Sequence, residues 1–452
     1  MTEKEKNERE IENNRDFLKW KNLQNKNDKY IPQYHIYPKQ GLLNDPNCTF
    51  FYNNKLYCFF QHHPGHVLHG LKTMSLATTT DFINFEYKYM VNTPDDFFDS
   101  HGVYTGSSII IDNKVHCLYT GNVRNEDWSI SEYVIKCEYD LKTDKFINKK
   151  NLFSNLDYTN YTGHFRDPCI FEYKNKYYFI LGAQIKDIVG TILLFELDDN
   201  LENPKLIKEF KLRENIRMIE CPNIAFVKDK VYFIYCPEYN NQTLAKDKRL
   251  SPDVCWYSKI DLDEVLGNDE FNQKIENYHM VDYGLEFYAP QVFKMNNESY
   301  IIGWSGIPSN VEYKEKEYGW LNMLTLFKKI ELDDNGKLLF KEMDIYKKAY
   351  LNSSNKFVKY QQISIGNNET IEILDKDLKV LTISQKNNEL IIRRNNDETY
   401  FKYHSSVKIN ELQNSNQLDI FIDNSIIEIK INNKEWYTSR IYFDNEIVIN
   451  KK

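Results

Sequence analysis

A chain of 452 residues has room for two domains and a large core, and its net charge of −8, with Lys and Asp/Glu interspersed, argues against a nucleic-acid partner. Aromatic residues make up 15% of it, with 33 Tyr and 27 Phe, which favours strands and surfaces that stack on sugars. No run of about 18 apolar residues is present to span a membrane as a helix, and the eight cysteines form no C-x-x-C pair, which removes the usual zinc and redox-pair readings and leaves buried thiols.

Residues 1–29 form a charged N-terminal extension with no apolar h-region of a secretory signal, so a cytoplasmic location is expected. A short amphipathic helix is expected around residues 11–23. From residue 30 to 340 one unit recurs five times. Its first copy reads Gly41-Leu-Leu-Asn-Asp-Pro-Asn-Cys-Thr-Phe-Phe-Tyr52, then a polar turn, a lysine and the apolar run Leu56-Tyr-Cys-Phe-Phe-Gln61. Later copies align on Val115, Tyr177, Val231 and Ser299. A loose period of roughly 50 to 70 residues with two or more strands per unit predicts a β-propeller, one blade per copy. Residues 341–355 form a polar connector with helical character. From 356 to 452, alternating runs such as Thr370-Ile-Glu-Ile-Leu374 and Ser425-Ile-Ile-Glu-Ile-Lys-Ile431 lie between Asn/Asp-rich turns and predict an antiparallel sandwich. The fold class is therefore all-β, a five-bladed β-propeller followed by a C-terminal antiparallel β-sandwich.

The register of the repeats locates a site. About eleven residues before the five alignment points stand Asp45, Thr105, Asp167, Glu220 and Tyr288. Equivalent positions on blades face one end of the central channel, so three carboxylic acids from three blades are expected to converge there. Convergent carboxylates oppose one another's ionisation, which makes a catalytic site the leading reading. A lone Asp-Pro is an ordinary turn signal; the shared register is what lifts Asp45 and Asp167 above it.

The motifs resemble those of glycoside hydrolase family 32, the invertases, sucrose-6-phosphate hydrolases and fructanases. Asn44-Asp-Pro-Asn47, Phe59-Phe-Gln61, Tyr104-Thr-Gly-Ser-Ser108, His164-Phe-Arg-Asp-Pro168, Glu220-Cys-Pro222, Phe287-Tyr-Ala-Pro-Gln291 and Ile302-Gly-Trp304 carry the likeness, and Leu418 to Glu428 and Thr438-Ser-Arg440 are similar to the family's C-terminal sandwich. The resemblance implies retaining hydrolysis of a β-fructofuranosyl bond, with Asp45 as nucleophile, Glu220 as acid/base and Asp167 holding fructose hydroxyls. It implies substrate contacts from Asn44, Gln61, Met74, Tyr104, Thr105, Arg166 and Tyr288, and no cofactor. Double displacement needs one ionised and one protonated carboxyl, so the pKa of Glu220 is expected to be raised and Asp45 to stay charged.

The chain departs from the family pattern in four places. Leu42-Leu43 replaces Trp-Met, Cys48 replaces Gly, Met74 stands about where a tryptophan is usual, and Phe327-Lys328 replaces Pro-Arg. The cluster His62, His63, His66 and His69 lacks a carboxylate or cysteine at ligand spacing, so a loop over the pocket mouth is expected there rather than a metal site. The expected partner is a small saccharide, sucrose or its 6-phosphate, with no membrane and no nucleic acid. Lys72, Arg124, Lys246 and Arg249 lie in segments that could meet a phosphate. A fructanase or fructosyltransferase on the same scaffold, another five-bladed glycosidase, and a catalytically silent sugar-binding protein are the competing readings.

Overall fold

Every repeat opens with an antiparallel hairpin whose turn chemistry is local. Asn53 and Asn54 join Gly41–Tyr52 to Lys55–His63, and both hold positive φ, 48° and 58°. Asp112–Asn113, Lys174–Asn175 and Asn296–Asn297 repeat this in later copies. Two successive left-handed residues make a type I′ turn, whose twist matches that of the strands it joins. In the computed structural model, which describes residues 28–212, 216–239, 255–275, 277–308, 313–395, 406–410 and 412–452, these hairpins start the sheets of a five-bladed propeller. The helix expected around 11–23 lies outside the described residues.

The first blade runs Gly41–Tyr52, Lys55–His63, Thr73–Thr79 and Glu86–Asn92. The second runs Val103–Ile111, Lys114–Arg124, Ile130–Asp140 and Lys145–Ser154. The third runs Tyr161–Tyr173, Lys176–Ile185, Val189–Leu197 and Lys205–Lys211, with Asn272–Lys274 added in parallel at its edge. The fourth runs Ile216–Val227, Lys230–Tyr239, Trp256–Ile260 and His279–Met280, and the fifth Tyr288–Met295, Glu298–Ser305, Lys328–Leu332 and Leu338–Glu342. The innermost strands touch one another in ring order, the fifth returning to the first.

Apolar side chains fill the spaces between blades. Phe59, Met74, Cys117 and Tyr119 lie between the first and second, Phe165, Phe179 and Phe195 between the second and third, and Ile180, Ile192, Phe233 and Trp256 between the third and fourth. Each such side chain contributes roughly 1.5–3 kcal/mol by leaving water. All eight cysteines are free and buried. The ring closes where Trp320–Leu321 pairs in parallel with Gly41–Leu42 and the Gly41 amide donates to the Gly319 carbonyl at 2.9 Å. Gly41 has φ of 73°, and a Cβ there would stand 2.2 Å from the His63 carbonyl oxygen, so only glycine fits.

A helix, Asp344–Leu351, buries Tyr346 and Tyr350 and leads to the sandwich. One sandwich sheet holds Val358–Gly366, Ser415–Asp423, Ile426–Ile431 and Glu435–Arg440; the other holds Ser406–Ile409, Glu389–Arg394, Leu378–Lys386, Thr370–Asp375 and Ile447–Lys451. Ile427, Ile429 and Ile431 enter the core between the sheets. The alternate residues of that strand are buried too, because they face the propeller. Glu428 accepts the Leu326 amide at 2.7 Å and Lys328 Nζ at 2.5 Å, and contacts His35 Nε2 at 3.1 Å. Arg394 donates to Glu286 at 2.7 Å, and Arg440 pairs with Glu315, which also accepts from the Tyr442 hydroxyl at 2.7 Å. The polar halves of these alternating strands thus meet buried ions of the propeller rather than water.

Candidate active site

The site begins with a break in the ladder that recurs in all five innermost strands. Register slips between Leu43 and Pro46, between Tyr104 and Gly106, beside Asp167, between Glu220 and Asn223, and between Tyr288 and Gln291. A bulge bends the strand and re-aims the side chain beside it. Proline has no N–H to give a ladder, so Pro46, Pro168, Pro222 and Pro290 suit these interruptions, which is the physical content of an acid preceding a proline. Left-handed backbone accompanies the breaks, at Asp167 (67°), Cys221 (46°), Ala289 (44°) and Cys48 (38°). Cys48 occupies the position where glycine is usual, and this φ is the reason glycine suits it.

Asp45, Asp167, Glu220 and Tyr288 are thereby brought to one cavity of about 530 Å³. Asp45 is held from several sides. Thr105 Oγ1 donates to its Oδ2 at 2.5 Å, Gln61 Nε2 donates to the same oxygen at 3.0 Å, and Asn44 Nδ2 donates to Oδ1 at 3.0 Å. Gln61 and Asn44 are themselves joined at 3.0 Å, and Lys72 Nζ donates to Asn44 Oδ1 at 2.8 Å. Glu220 accepts Arg166 Nη2 and the Tyr288 hydroxyl, each at 2.7 Å. Asp167 accepts the Cys221 amide at 2.8 Å, while its own amide donates to Thr120 Oγ1 at 2.8 Å. The Cys221 thiol stands 3.7 Å from Asp45 Oδ2.

Charge in the cavity differs from the expected pattern. Burial pushes the Asp45 carboxyl up, against the hydrogen bonds from Thr105 and Asn44, and the charge of Glu220 pushes it further. Burial also raises Asp167 well above the usual carboxylate range; the Arg166 cation opposes this, and the charges of Asp45 and Glu220 push the carboxyl further up. For Glu220 burial acts upward as well, but the adjacent Arg166 guanidinium outweighs it and holds the carboxyl below its ordinary value. The expected elevation of Glu220 is thus reversed, because Arg166 on the neighbouring blade points at it. Arg166 Nη1 lies 3.4 Å from Glu132 and 3.0 Å from His164 Nδ1, and burial followed by that cation pushes His164 down to about 4.

Asn44, Gln61, Tyr104, Arg166 and Tyr288 line the cavity. Thr105 stands behind it and reaches Asp45 rather than the open space. Met74 does not line it: it is 0% exposed and packs among Cys48, Phe59 and Leu76 between the first two blades, so the expectation that it meets sugar is corrected. The strand Thr73–Thr79 is buried throughout, so burial did not mark out a sugar-facing residue, and Met74 packs on its inter-blade side. Of the four basic residues, Lys72 and Arg124 line the cavity, and Lys246 and Arg249 lie outside the described residues. In the histidine cluster only His69 lines the cavity; His62 and His63 are tied to the carbonyls of Gln40 and Leu68, and burial pushes them down to about 3 and about 4. Glu132, Asn122, His101 and Trp128 also line the cavity and escaped the sequence reading. Asn122 and Glu132 sit on the second and third strands of the second blade, Trp128 in the turn between them and His101 just before the first strand, all away from the acid-proline register; Asn122 had a signal, since it lies two residues past the position that corresponds to Gln61 in the first blade.

The chain matches the Glycosyl hydrolases family 32 N-terminal domain over residues 35–342 and the Glycosyl hydrolases family 32 C terminal over residues 344–450. It is 31% identical over 422 residues to a sucrose-6-phosphate hydrolase of Lactococcus lactis subsp. lactis, covering 89% of this chain and 86% of that protein. To one of Streptococcus mutans serotype c it is 31% identical over 439 residues, 90% of this chain and 88% of that protein. Among solved structures, a sucrose-6-phosphate hydrolase from Lactobacillus gasseri superposes with a TM-score of 0.81 at 26% identity, covering 96% of this chain and 93% of that one.

Proposed function

The chain belongs to glycoside hydrolase family 32, and from that premise we propose that it is a retaining β-fructofuranosidase acting on sucrose 6-phosphate or sucrose. The observation that carries this reading is the placement of Asp45, Asp167 and Glu220, from three blades, around one cavity. In the first step an Asp45 oxygen bonds to the anomeric carbon of fructose while the bond to the glucosyl oxygen breaks. Glu220 gives that oxygen its proton. In the second step Glu220 takes a proton from water, the water oxygen bonds to the anomeric carbon, and Asp45 is released. Asp167 binds fructose hydroxyls. Three carboxylates sharing one cavity oppose one another's full ionisation. Arg166 disfavours a proton on Glu220, so the first step needs the bound sugar to favour the protonated acid.

The activity for which these relatives are named supports sucrose 6-phosphate as the first substrate to try. A cytoplasmic location goes with that substrate, since a sugar phosphate does not cross a bilayer unaided. Release of fructose from the two sugars, measured in parallel, tests the proposal. Turnover of either supports a β-fructofuranosidase, and a folded protein inert on both refutes it.

Thr105→Val provides a finer check. The substitution removes the shortest donor to Asp45 and leaves the volume nearly unchanged. Losing a hydrogen bond to the charged form raises a carboxyl's pKa, and the nucleophile acts ionised. The acidic limb of the kcat/KM profile is therefore expected to move to higher pH; an unmoved limb would mean that Asp45 does not set it.

A further inference from the structure

Among the described residues, three permanent cations line the cavity, and two have carboxylate or amide partners within it. Arg166 pairs with Glu220 and Glu132. Lys72 is buried and donates to Asn44. The Arg124 guanidinium makes no hydrogen bond or ion pair among the described residues, although Arg124 lines the same cavity. It is the last residue of the strand Lys114–Arg124, where exposure rises from buried Asn122 to exposed Glu126, so it stands on the wall nearer solvent. The following hairpin places Trp128 beside it. The Trp128 amide donates to the Asn125 carbonyl at 2.9 Å, and its indole meets the His101 ring edge-on at 6.0 Å. Trp128 is half-buried and also lines the cavity. A half-exposed indole offers a flat apolar face to a sugar ring. A guanidinium without a carboxylate partner offers paired N–H donors to a phosphomonoester. The deeper wall carries Asp45, Asp167, Glu220 and Glu132, which repel a dianion, so a cation at the outer wall is where a phosphorylated sugar gains most.

We infer that Arg124 recognises a phosphate group on the leaving sugar, with Trp128 as the platform for that sugar's ring; the inference rests on the β-fructofuranosidase reading of the cavity. The test compares kcat/KM for sucrose 6-phosphate and sucrose in the wild type, Arg124→Gln and Arg124→Lys. The wild type favours the phosphorylated sugar, and rising salt narrows that preference. In Arg124→Gln the ratio of the two kcat/KM values falls by about 10- to 100-fold, carried by KM, as expected for a lost charge-assisted hydrogen bond. Arg124→Lys keeps part of the ratio, since the charge remains without the fork. A wild type that prefers the phosphate while Arg124→Gln keeps the full ratio overturns the inference and leaves the enzyme reading standing. A wild type that cleaves sucrose without preference also overturns the inference, and one inert on both sugars overturns the reading beneath it.

Discussion

With Asp45 changed to alanine, hydrolysis of sucrose and of its 6-phosphate is expected to fall by at least about 10⁴-fold while the protein stays folded. The loss is large because no neighbouring group can take over attack: Gln61, Asn44 and Thr105 all donate toward Asp45, and Asp167 is tied to the Cys221 amide. Stability should be unharmed or improved, since burial already opposes the Asp45 charge and Glu220 adds repulsion. Glu220→Gln should behave differently, slowing the natural sugars by about 10²–10⁴-fold as an acid/base residue does. A β-fructofuranoside whose leaving group needs no proton should recover much of the first step in that variant. Steady-state rates beside a thermal melt decide the matter. Activity of folded Asp45→Ala within tenfold of wild type would remove it from the role of nucleophile.

Glu428→Gln is expected to destabilise the protein by about 3–5 kcal/mol in denaturant titrations at pH 7, the usual cost of breaking a buried ionic cluster by removing one partner. Lys328 and His35 would then lie buried without the carboxylate that now neutralises them, although Asp423 still contacts His35 at 2.7 Å. The pH dependence follows from the same geometry. Burial alone would push Glu428 up, but Lys328 and His35 outweigh it and bring it down to about 2 from an ordinary 4.5. A carboxyl depressed by folding stabilises the fold above its unfolded value, and that contribution is lost as pH falls through the folded value. The gap between wild type and Glu428→Gln should therefore be full at pH 7 and shrink from about pH 4.5 downward. A gap that stays constant to pH 2 would show that charge is not its origin.

Local chemistry was legible in the sequence, and relations across blades were not. The polar turns and the acid-proline pairs each act within a few residues, so the paired strands and the three acids could be read directly, whereas the bulges that aim those acids appear only in the strand register. Met74 illustrates the limit: whether a strand residue faces the channel or the next blade depends on the packing of both strand faces. Glu220 illustrates it again, because its pKa direction depends on Arg166 from another blade. Glu132 carries no motif and gains its place only when its strand folds against Phe165 and Arg166. Glu428 and Arg440 were seen as sandwich motifs, but their alternation gave no sign that the polar face would be covered by propeller.

The short parallel pairing of Trp320–Leu321 with Gly41–Leu42, supported by Asn322 reaching the Leu43 carbonyl, joins positions 279 residues apart in the case of that side chain. Contacts of such separation form late in folding, after the nearer hairpins have compacted the chain. Asn44 and Asp45 lie in the same strand as Gly41–Leu42, just past the residues this pairing fixes. Asp45 is therefore expected among the last groups to reach its place on the folding pathway. On dilution from denaturant, sheet signal should return first and hydrolytic competence should lag behind it, so partly folded chains hold the acids without being enzymes.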